Sequence, residues 1–427
     1  MKRAIFYLTF NGVYNVSNGI GTQTQTFLNG IHHHYSRFVE LFGKVAIHIV
    51  SPVYCPHNTR NYSLSLLRRT KRITRATNGA LHLLPFDTSY PFWSRRTWEA
   101  LSRGAAAQVR ACSVNYDQSI VIAIDPPFLL APLYLNQQCD CAVRNIDCLL
   151  TLYGSSFIHD RAQISFERLE WEYAGLASSR VYEPIYIAKV CDFMKEHLVT
   201  HYGAPAERFI PYESSLFLEA PDFHPLCEKH IHRTLSKYDV PTDRDLVFSF
   251  GRGDWIKGFD IVINALRHVK RKLHFILIAV PPAERMTGRP CYAHSLTKLR
   301  HTFTFIDAYN RELPIALAQW KRSSIVVCPS RGEPFSNIPF EVAMWARRAG
   351  PVCLCSDIDG FPYQITHNEN GFLFKAGDTH DLADAIRHIL SLDKAQKMAI
   401  RKRAAARVLR ERDFLKNFSA TLRCFWQ

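Results

Sequence analysis

Residues 331–344, Arg-Gly-Glu-Pro-Phe-Ser-Asn-Ile-Pro-Phe-Glu-Val-Ala-Met, are the stretch from which the fold of this chain is inferred. An apolar run at 324–330 precedes them with the pattern of a buried strand, and from Ile338 onward their apolar residues recur at helical spacing. The start of such a helix exposes unpaired backbone N–H groups and the positive end of the helix dipole, which together favour a phosphate. Glu333 lies in the loop and Glu341 lies inside the helix. The arrangement suits a nucleotide-activated sugar, with its phosphate on the amides and its hydroxyl groups on the two glutamates.

A second loop, at 249–260, offers the positive charge that a phosphate ligand needs. A strand ends at Gly251, and a helix begins near Gly258. Between them, Arg252 presents a rigid fork for phosphate oxygens and Lys257 presents a mobile point charge. An Arg and a Lys in a loop are usually only solvated. This loop therefore indicates a phosphate site only in combination with residues 331–344, which follow it in the chain.

Together the two stretches resemble the retaining glycosyltransferases of family four, which have the GT-B fold. The resemblance rests on Lys-Gly-Phe-Asp at 257–260, on Glu-x7-Glu at 333–341 and on Asn-Gly-Phe at 370–372. It extends over most of the chain, although its specific motifs lie mainly in residues 245–395. It implies an α/β architecture of two Rossmann-like domains facing a cleft, with the C-terminal helix crossing back to the first domain.

The resemblance also implies a role for each charged residue. Arg252 and Lys257 would bind the donor diphosphate and neutralise the charge that builds on the leaving group. Glu341 would accept hydrogen bonds from the ribose, and Glu333 would meet the hydroxyl groups of the sugar. The predicted donor-binding residues are Gly21, Gly251, Arg252, Lys257, Glu333, Phe335, Ser336, Asn337 and Glu341, of which Arg252, Lys257 and Glu333 are also predicted to be catalytic.

Neither a metal ion nor a cofactor is implied, because the cationic side chains supply the charge stabilisation and the nucleoside-diphosphate sugar is a substrate. His32-His33-His34 could ligate a metal, but three adjacent side chains on a helix point in different directions. The sequence therefore predicts no metal site.

A glycine-containing segment, Asn18-Gly19-Ile20-Gly21-Thr22, follows the first strand and precedes a helix predicted over 23–31. Glycine lets a backbone approach a ligand closely, and the start of a helix suits an anion. A dinucleotide-binding site is disfavoured, because the third glycine of Gly-x-Gly-x-x-Gly is missing and no acidic residue ends the next strand at 49–51. The segment resembles the family's glycine loop, which implies that Gly21 lies near the transferred group.

Three residues of the first half are candidates for the acceptor side. Tyr153 stands where many relatives have a histidine, and a tyrosine can donate a hydrogen bond but cannot carry a proton near neutral pH. His159 is close enough in sequence to substitute, although a lone loop histidine is more often only solvated. Asp125 ends a strand before two prolines, where it could bind the acceptor hydroxyl or cap a turn. On the following helix, Glu167, Glu170 and Glu172 are expected to form an exposed acidic face.

A length of 427 residues exceeds one ordinary core and predicts two domains. Strand-like and helix-like patterns alternate in both halves, which is typical of parallel sheets covered by helices. The pattern weakens between Pro211 and Pro241, where a linker is expected. The predicted domains are residues 1–220, joined by a crossing helix at 409–427, and residues 221–408.

The composition limits the partners. There are 53 Lys and Arg against 38 Asp and Glu, a net charge of +15, which suits an anionic small substrate, an anionic membrane or nucleic acid. No zinc-finger spacing or RNA-binding signature is present, so no nucleic acid is expected.

The 12 cysteines are scattered, and the pairs Cys139/Cys141 and Cys353/Cys355 are too closely spaced for a zinc knuckle. Without a signal-peptide pattern or a run of about 20 apolar residues, the prediction is a cytoplasmic enzyme, with contact at the inner face of the membrane through basic patches left open.

The predicted reaction moves a sugar from a nucleoside diphosphate to a hydroxyl of a sugar, lipid-linked or small-molecule acceptor, with the anomeric configuration kept. Such an enzyme would serve polysaccharide, lipopolysaccharide or other glycoconjugate biosynthesis. One alternative is a sugar-phosphate synthase or phosphorylase on the same fold. The other is a non-enzymatic basic protein that binds nucleic acid, against which the missing aromatic and basic sheet motif argues.

Overall fold

The computed structural model describes residues 1–16, 18–54, 62–137, 145–281 and 292–426, and the chain divides into two compact units. Unit 1 comprises Met1–Phe217 and Arg412–Gln427, and unit 2 comprises Leu218–Glu411. Cys139 and Cys141, which were predicted not to form a zinc site, lie outside the described residues.

Seven parallel strands form the sheet of unit 1. They are β1 (Arg3–Leu8), β2 (Val45–Pro52), β3 (Leu81–Leu84), β4 (Gln118–Ile124), β5 (Ile146–Thr151), β6 (Ile185–Lys189) and β7 (Phe209–Pro211). Their order in the sheet is β3-β2-β1-β4-β5-β6-β7. The central strands β1 and β4 are almost entirely buried, as expected for a parallel sheet covered on both faces. The short strand β7 is not predicted by the sequence pattern.

In the described residues of the first 217 positions, α-helices connect or flank these strands. They are α1 (Gly19–Phe42), α2 (Leu64–Ala76), α3 (Arg95–Ser113), α4 (Asp125–Phe128), α5 (Ala131–Gln137), α6 (Ser156–His159), α7 (Phe166–Val181) and α8 (Asp192–Tyr202). Helix α1 begins at Gly19, four residues before the predicted start, because Asn18 caps it: its side chain accepts a hydrogen bond from the Gly21 N–H (2.9 Å). The glycine-containing segment is therefore the first turn of a helix.

Six parallel strands form the sheet in the described part of unit 2. They are β8 (Leu246–Arg252), β9 (His274–Val280), β10 (Thr302–Ile306), β11 (Ser323–Cys328), β12 (Val352–Asp357) and β13 (Phe372–Lys375), in the order β10-β9-β8-β11-β12-β13. Its helices are α9 (Glu228–Lys237), α10 (Phe259–Leu266), α11 (Tyr292–Leu296), α12 (Glu312–Gln319), α13 (Ile338–Trp345), α14 (Phe361–Gln364), α15 (Thr379–Ser391) and α16 (Lys394–Glu411). Short 3-10 helices lie at Pro221–Phe223 and Trp255–Lys257.

The expectation of a linker between Pro211 and Pro241 is wrong for part of that range. The 3-10 helix Pro221–Phe223 and helix α9 lie inside it. On α9, Ile231 and Leu235 are buried four residues apart, so they lie on one face of the helix. This i, i+4 spacing of apolar residues predicts a helix, but the surrounding prolines and histidines made the segment resemble a linker.

The core of unit 2 fixes where its loops leave the sheet. Apolar side chains of the central strands, such as Val247, Leu277 and Val327, form one cluster with residues of α10 and α15. Strands β8 and β11 are parallel neighbours in this sheet. Because parallel strands end at the same edge, the loops after β8 and after β11 emerge side by side.

The C-terminal helix α17 (Phe414–Arg423) packs in unit 1. The Phe418 ring lies 5.4 Å from Phe27 and 5.8 Å from Phe38 of α1, measured between ring centroids. Gly30 of α1 leaves the space that the Phe414 ring fills. The predicted return of the last helix to the first domain is confirmed. Among the described helices, none is long and apolar enough to cross a bilayer.

Candidate active site

Gly258 brings the loop after β8 against the end of β11. Its φ is +64°, in the left-handed region that glycine adopts without strain. A Cβ at this position would overlap the carbonyl oxygen of Pro329, the residue that follows β11. The Lys-Gly-Phe-Asp segment therefore contains glycine because α10 starts in direct backbone contact with the neighbouring loop.

Arg331 ties the two loops together. Its Nη1 and Nη2 donate to the two carboxylate oxygens of Asp260 (2.8 and 2.6 Å), and Nη1 also donates to the carbonyl of Trp255 (2.9 Å). The backbone N–H of Arg331 donates to the Ile256 carbonyl (2.7 Å). These bonds hold the segment that carries Lys257 against the segment that carries Glu333. No role for Arg331 was predicted from the sequence, in which its one signal is an acidic residue, Asp260, in the other motif.

Lys257 and Glu333 form an ion pair between Nζ and Oε2. Their side chains are 17% and 9% exposed, so the pair is largely withdrawn from solvent. The Ser330 hydroxyl lies 3.4 Å from the same Glu333 oxygen, and the Glu333 backbone N–H donates to Asp359 Oδ2 (3.0 Å). Two residues predicted from separate motifs are thus in direct contact, and both are held by their surroundings.

Arg252 is the last residue of β8 rather than a loop residue. Its Nη2 lies 3.2 Å from Asp254 Oδ2, and its side chain is 39% exposed. Gly251, just before it, has a φ of +150°. The accessible guanidinium can still offer two parallel N–H donors to an anion.

Glu341 is buried on α13, which corrects the alternative that it is an ordinary surface glutamate. Its Oε1 accepts a hydrogen bond from Arg311 Nη1 (2.8 Å). The same guanidinium donates through Nε to Asp222 Oδ2 (2.9 Å). Sequence reasoning missed Arg311 and Asp222, because neither lies in a motif and both are distant from Glu341 along the chain.

The start of α13 offers fewer backbone donors than predicted. The Ser336 N–H donates to Gln364 Oε1 (3.0 Å), and Gln364 Nε2 donates back to the Ser336 carbonyl (2.6 Å). The Ile338 N–H donates to the Ser336 hydroxyl (3.4 Å), and Pro339 has no N–H. This corrects the expectation that the Ser336 amide is directed at a phosphate. An anion at this site depends more on side chains than the sequence suggested.

Gly21, assigned to the donor by resemblance, lies in unit 1 in the first turn of α1. Its N–H is bonded to Asn18, as described above. A Cβ at Gly21 would lie 3.1 Å from Val16 Cα and 3.3 Å from the Asn15 carbonyl oxygen. The glycine thus allows the segment after β1 to pack closely on the helix.

Asp125 supports the end of β5. It has a φ of +54° and is 5% exposed. Its Oδ1 accepts the backbone N–H of Tyr153 (2.8 Å). Burial raises the pKa of Asp125 to about 7, although the bond from Tyr153 and the nearby Arg168 lower it. The carboxylate therefore holds the chain where it leaves β5, and a contact of Asp125 with the acceptor stays a prediction.

Tyr153 follows β5 and lines a small pocket of unit 1 with Gln23, Tyr212 and Phe418. Burial is the main cause that raises the pKa of Tyr153 well above its ordinary value, and the nearby Tyr7 and Asp125 raise it further. Its hydroxyl therefore keeps its proton at neutral pH.

His159, the proposed substitute, ends α6 and places its ring directly over Gly154, where a Cβ would overlap it. The structure brings the Tyr153–Gly154 turn and His159 together.

Glu172 on α7 is fully buried, so the expectation of an exposed acidic face is wrong for this residue. It accepts hydrogen bonds from Arg168 Nε (2.8 Å), from the Ser156 N–H (2.9 Å) and from the Tyr202 hydroxyl. Three donors satisfy the buried carboxylate. It anchors the turn at α6, next to the Tyr153 segment.

Comparisons with known proteins agree with this architecture. Residues 232–406 match the family model described as Glycosyl transferases group 1. The D-inositol 3-phosphate glycosyltransferase of Xylanimonas cellulosilytica is 26% identical over 221 residues, which cover 50% of this chain and 50% of that protein. The chain spans about half the length of the curated relatives it matches.

Two solved structures resemble this one along nearly the whole chain. Sucrose-phosphate synthase from Thermosynechococcus elongatus has a TM-score of 0.71 at 16% identity, over 99% of this chain and 97% of that chain. Anabaena HepE in complex with UDP-glucose has a TM-score of 0.67 at 14% identity, over 99% of each chain. The predicted fold is confirmed: the chain has the GT-B fold with two parallel Rossmann-like sheets, and its residues 232–406 match the group 1 family of glycosyl transferases.

Proposed function

We propose that this protein transfers a sugar from a nucleoside diphosphate to an acceptor hydroxyl and keeps the anomeric configuration. The observation that carries the proposal is the ion pair of Lys257 and Glu333 on the loops beside the sheet edge of unit 2. Arg252 ends the strand next to it, and the buried Glu341 lies on the helix that follows. Two cations for a diphosphate and two carboxylates for hydroxyl groups are the set that a nucleotide sugar requires.

Charge stabilisation of the leaving group is the main catalytic effect. As the bond between the anomeric carbon and the diphosphate oxygen breaks, negative charge builds on the diphosphate, and Arg252 and Lys257 neutralise it. The acceptor oxygen forms the new bond on the same face of the sugar, and its proton passes to the departing diphosphate. Glu333 binds hydroxyl groups of the transferred sugar and keeps Lys257 in place through the ion pair.

A uridine diphosphate sugar is the first donor to test, because HepE, which shares the fold, binds UDP-glucose. The acceptor we propose is a sugar, a lipid-linked sugar or a small molecule, in the synthesis of a polysaccharide or other glycoconjugate. Gly21 and Tyr153 remain candidates for contact with the sugar or acceptor on the resemblance, and His159 remains one because it lies close to Tyr153.

Helix α2 supports a further partner, an anionic membrane surface. Its five cations, Arg68, Arg69, Lys71, Arg72 and Arg75, are all exposed, and the helix contains no acidic residue. None of the five forms an ion pair with another described residue, whereas most arginines near the candidate site do.

Loss of transfer in two variants tests the proposal. Lys257→Ala removes a charge from the diphosphate, and Glu341→Ala removes the carboxylate for the ribose, so each should lower kcat/KM about hundredfold or more, as removal of a preorganised charged group does. Lys272→Ala, at an exposed position of unit 2, is the matched control and should leave transfer unchanged. The measurement is donor turnover followed by nucleotide release and by mass spectrometry of the product. Full activity of either test variant would contradict the assignment, and turnover only with free phosphate would identify a phosphorylase.

A further inference from the structure

Arg311 joins the buried Glu341 carboxylate to the 3-10 helix Pro221–Phe223. Its Nη1 donates to Glu341 Oε1 (2.8 Å), and its Nε donates to Asp222 Oδ2 (2.9 Å). The guanidinium carbon lies 5.0 Å from the ring centroid of Trp345, one turn beyond Glu341 on α13. Contacts on two edges and one face hold this guanidinium in a single orientation.

Glu341 depends on this cation for charge compensation. Burial alone would lower the pKa of Arg311, but attraction by Glu341 and Asp222 outweighs burial and raises it. The Glu341 side chain is only 5% exposed, so loss of Arg311 would leave a buried carboxylate without a cation. The arrangement is thus more than a surface ion pair.

One oxygen of Glu341 remains available. Arg311 occupies Oε1, and no other described side chain donates a hydrogen bond to Oε2. Rotation about the Cγ–Cδ bond of Glu341 would move both oxygens and break the bond to the rigid guanidinium, so this bond fixes the plane of the carboxylate. Oε2 is therefore presented in one direction as a preorganised acceptor.

We propose that Arg311 is a positioning residue for the donor: it orients Glu341 so that the carboxylate accepts hydrogen bonds from the ribose 2′- and 3′-hydroxyls. The inference rests on the proposed function, which assigns Glu341 to the ribose. Asp222 holds the opposite edge of the guanidinium and Trp345 supports its face. Arg311 itself touches no substrate in this scheme.

The test compares ribose-containing and ribose-deficient nucleotides. The ribonucleoside diphosphate is whichever of UDP, GDP and ADP binds the wild-type protein most tightly, and its 2′,3′-dideoxy form lacks the two hydroxyls. Calorimetry of the protein gives the ratio of the two dissociation constants. In the wild type, loss of the hydroxyls should weaken binding about tenfold or more, since hydrogen bonds to a charged acceptor are lost.

The variant Arg311→Met keeps the bulk of the side chain but removes the charge and all its N–H donors. It should reduce the hydroxyl effect to about threefold or less, because Glu341 is no longer held. The donor KM should rise more than kcat falls. Lys257→Ala is the matched comparison: it weakens both nucleotides equally and leaves the hydroxyl ratio at its wild-type value, because Lys257 acts on the diphosphate.

Two further variants keep the test decisive if Arg311→Met does not fold. Arg311→Lys retains the charge and cannot make both bonds, and Asp222→Ala frees one edge of the guanidinium at a position whose side chain is 42% exposed. Both should lower the hydroxyl ratio. An unchanged ratio in a folded Arg311 variant would overturn the inference. A wild type that binds the diphosphate but is indifferent to the hydroxyls would instead overturn the proposed role of Glu341, and a wild type that binds no nucleotide would overturn the proposed function as a whole.

Discussion

In the proposed reaction Lys257 has two anionic partners, Glu333 and the donor diphosphate, and Glu333 orients it before the diphosphate binds. Its ammonium already contacts Glu333 in a largely buried pair. A diphosphate that arrives beside it gains a cation that is already oriented, so little side-chain entropy is lost on binding. Glu333 consequently has a structural task as well as its proposed contact with the sugar. Arg252, more exposed and at the end of a strand, complements Lys257 with a rigid fork.

Asp125 makes stability depend on pH in a specific window. Its pKa is raised from 3.8 to about 7, so the folded protein keeps a proton that the unfolded chain releases near pH 4. The contribution of Asp125 to stability is therefore greatest below pH 4 and falls as the pH rises to about 7. In the variant Asp125→Asn, the amide oxygen can still accept the Tyr153 N–H and does not ionise. We expect this variant to gain stability relative to wild type by up to about 4 kcal/mol between pH 4 and pH 7.5.

Urea unfolding of both proteins at several pH values measures this difference. Titrating histidines are common to both proteins and cancel in the comparison. A stability difference that does not change with pH would show that the Asp125 carboxyl has an ordinary pKa in the folded protein.

At the level of elements, the start of α10 depends on Gly258. The variant Gly258→Ala would place a Cβ against the Pro329 carbonyl at a φ of +64°. We expect a loss of at least about 2 kcal/mol in the free energy of unfolding, together with weaker nucleotide binding. Gly377→Ala is the matched control, because Gly377 has a φ of +79° with no atom within 4 Å of the added Cβ. It should cost only the backbone strain, about 1 kcal/mol. Equal losses in the two variants would show that the contact with Pro329 has no effect.

Helix α2 can be tested as a membrane-binding element. The triple variant Arg68→Gln, Arg72→Gln, Arg75→Gln removes three exposed cations. With about 1 kcal/mol per cation near an anionic surface, binding to vesicles containing phosphatidylglycerol should weaken about hundredfold. A triple variant at Lys272, Lys375 and Lys394, exposed cations of unit 2, is the control and should bind as the wild type does. Vesicle sedimentation at low and high salt measures the effect, and equal binding of both variants would exclude α2 as the contact.

For the whole molecule, the sequence was informative where motifs are local. Alternating patterns predicted two parallel sheets, and Glu341 lies on the helix to which its motif assigned it, whereas Lys257 ends a 3-10 helix in the segment predicted as a loop. The Lys257–Glu333 pair follows from the order of the strands, because β8 and β11 are neighbours. The GT-B fold came from the combination of these motifs.

What could not be predicted depends on contacts between distant residues. Arg311 and Asp222 reach Glu341 from other parts of unit 2, and neither has a local signature. Gln364 occupies the Ser336 amide through a side chain from the next β–α connection. Glu172 was predicted to be exposed with the other glutamates of its helix. Its burial depends on three donors that only the folded chain brings together.

Donor binding tests the central claim most directly. Thermal unfolding of the wild type and of Lys257→Ala should be followed with UDP-, GDP-, ADP- and TDP-sugars. A ligand at a hundred times its dissociation constant stabilises the folded state by about 2.7 kcal/mol, so one donor should raise the melting temperature of the wild type by several degrees. The same donor should give a clearly smaller shift with Lys257→Ala. No shift with any of the four nucleotide sugars, or equal shifts in the two proteins, would contradict the proposed site.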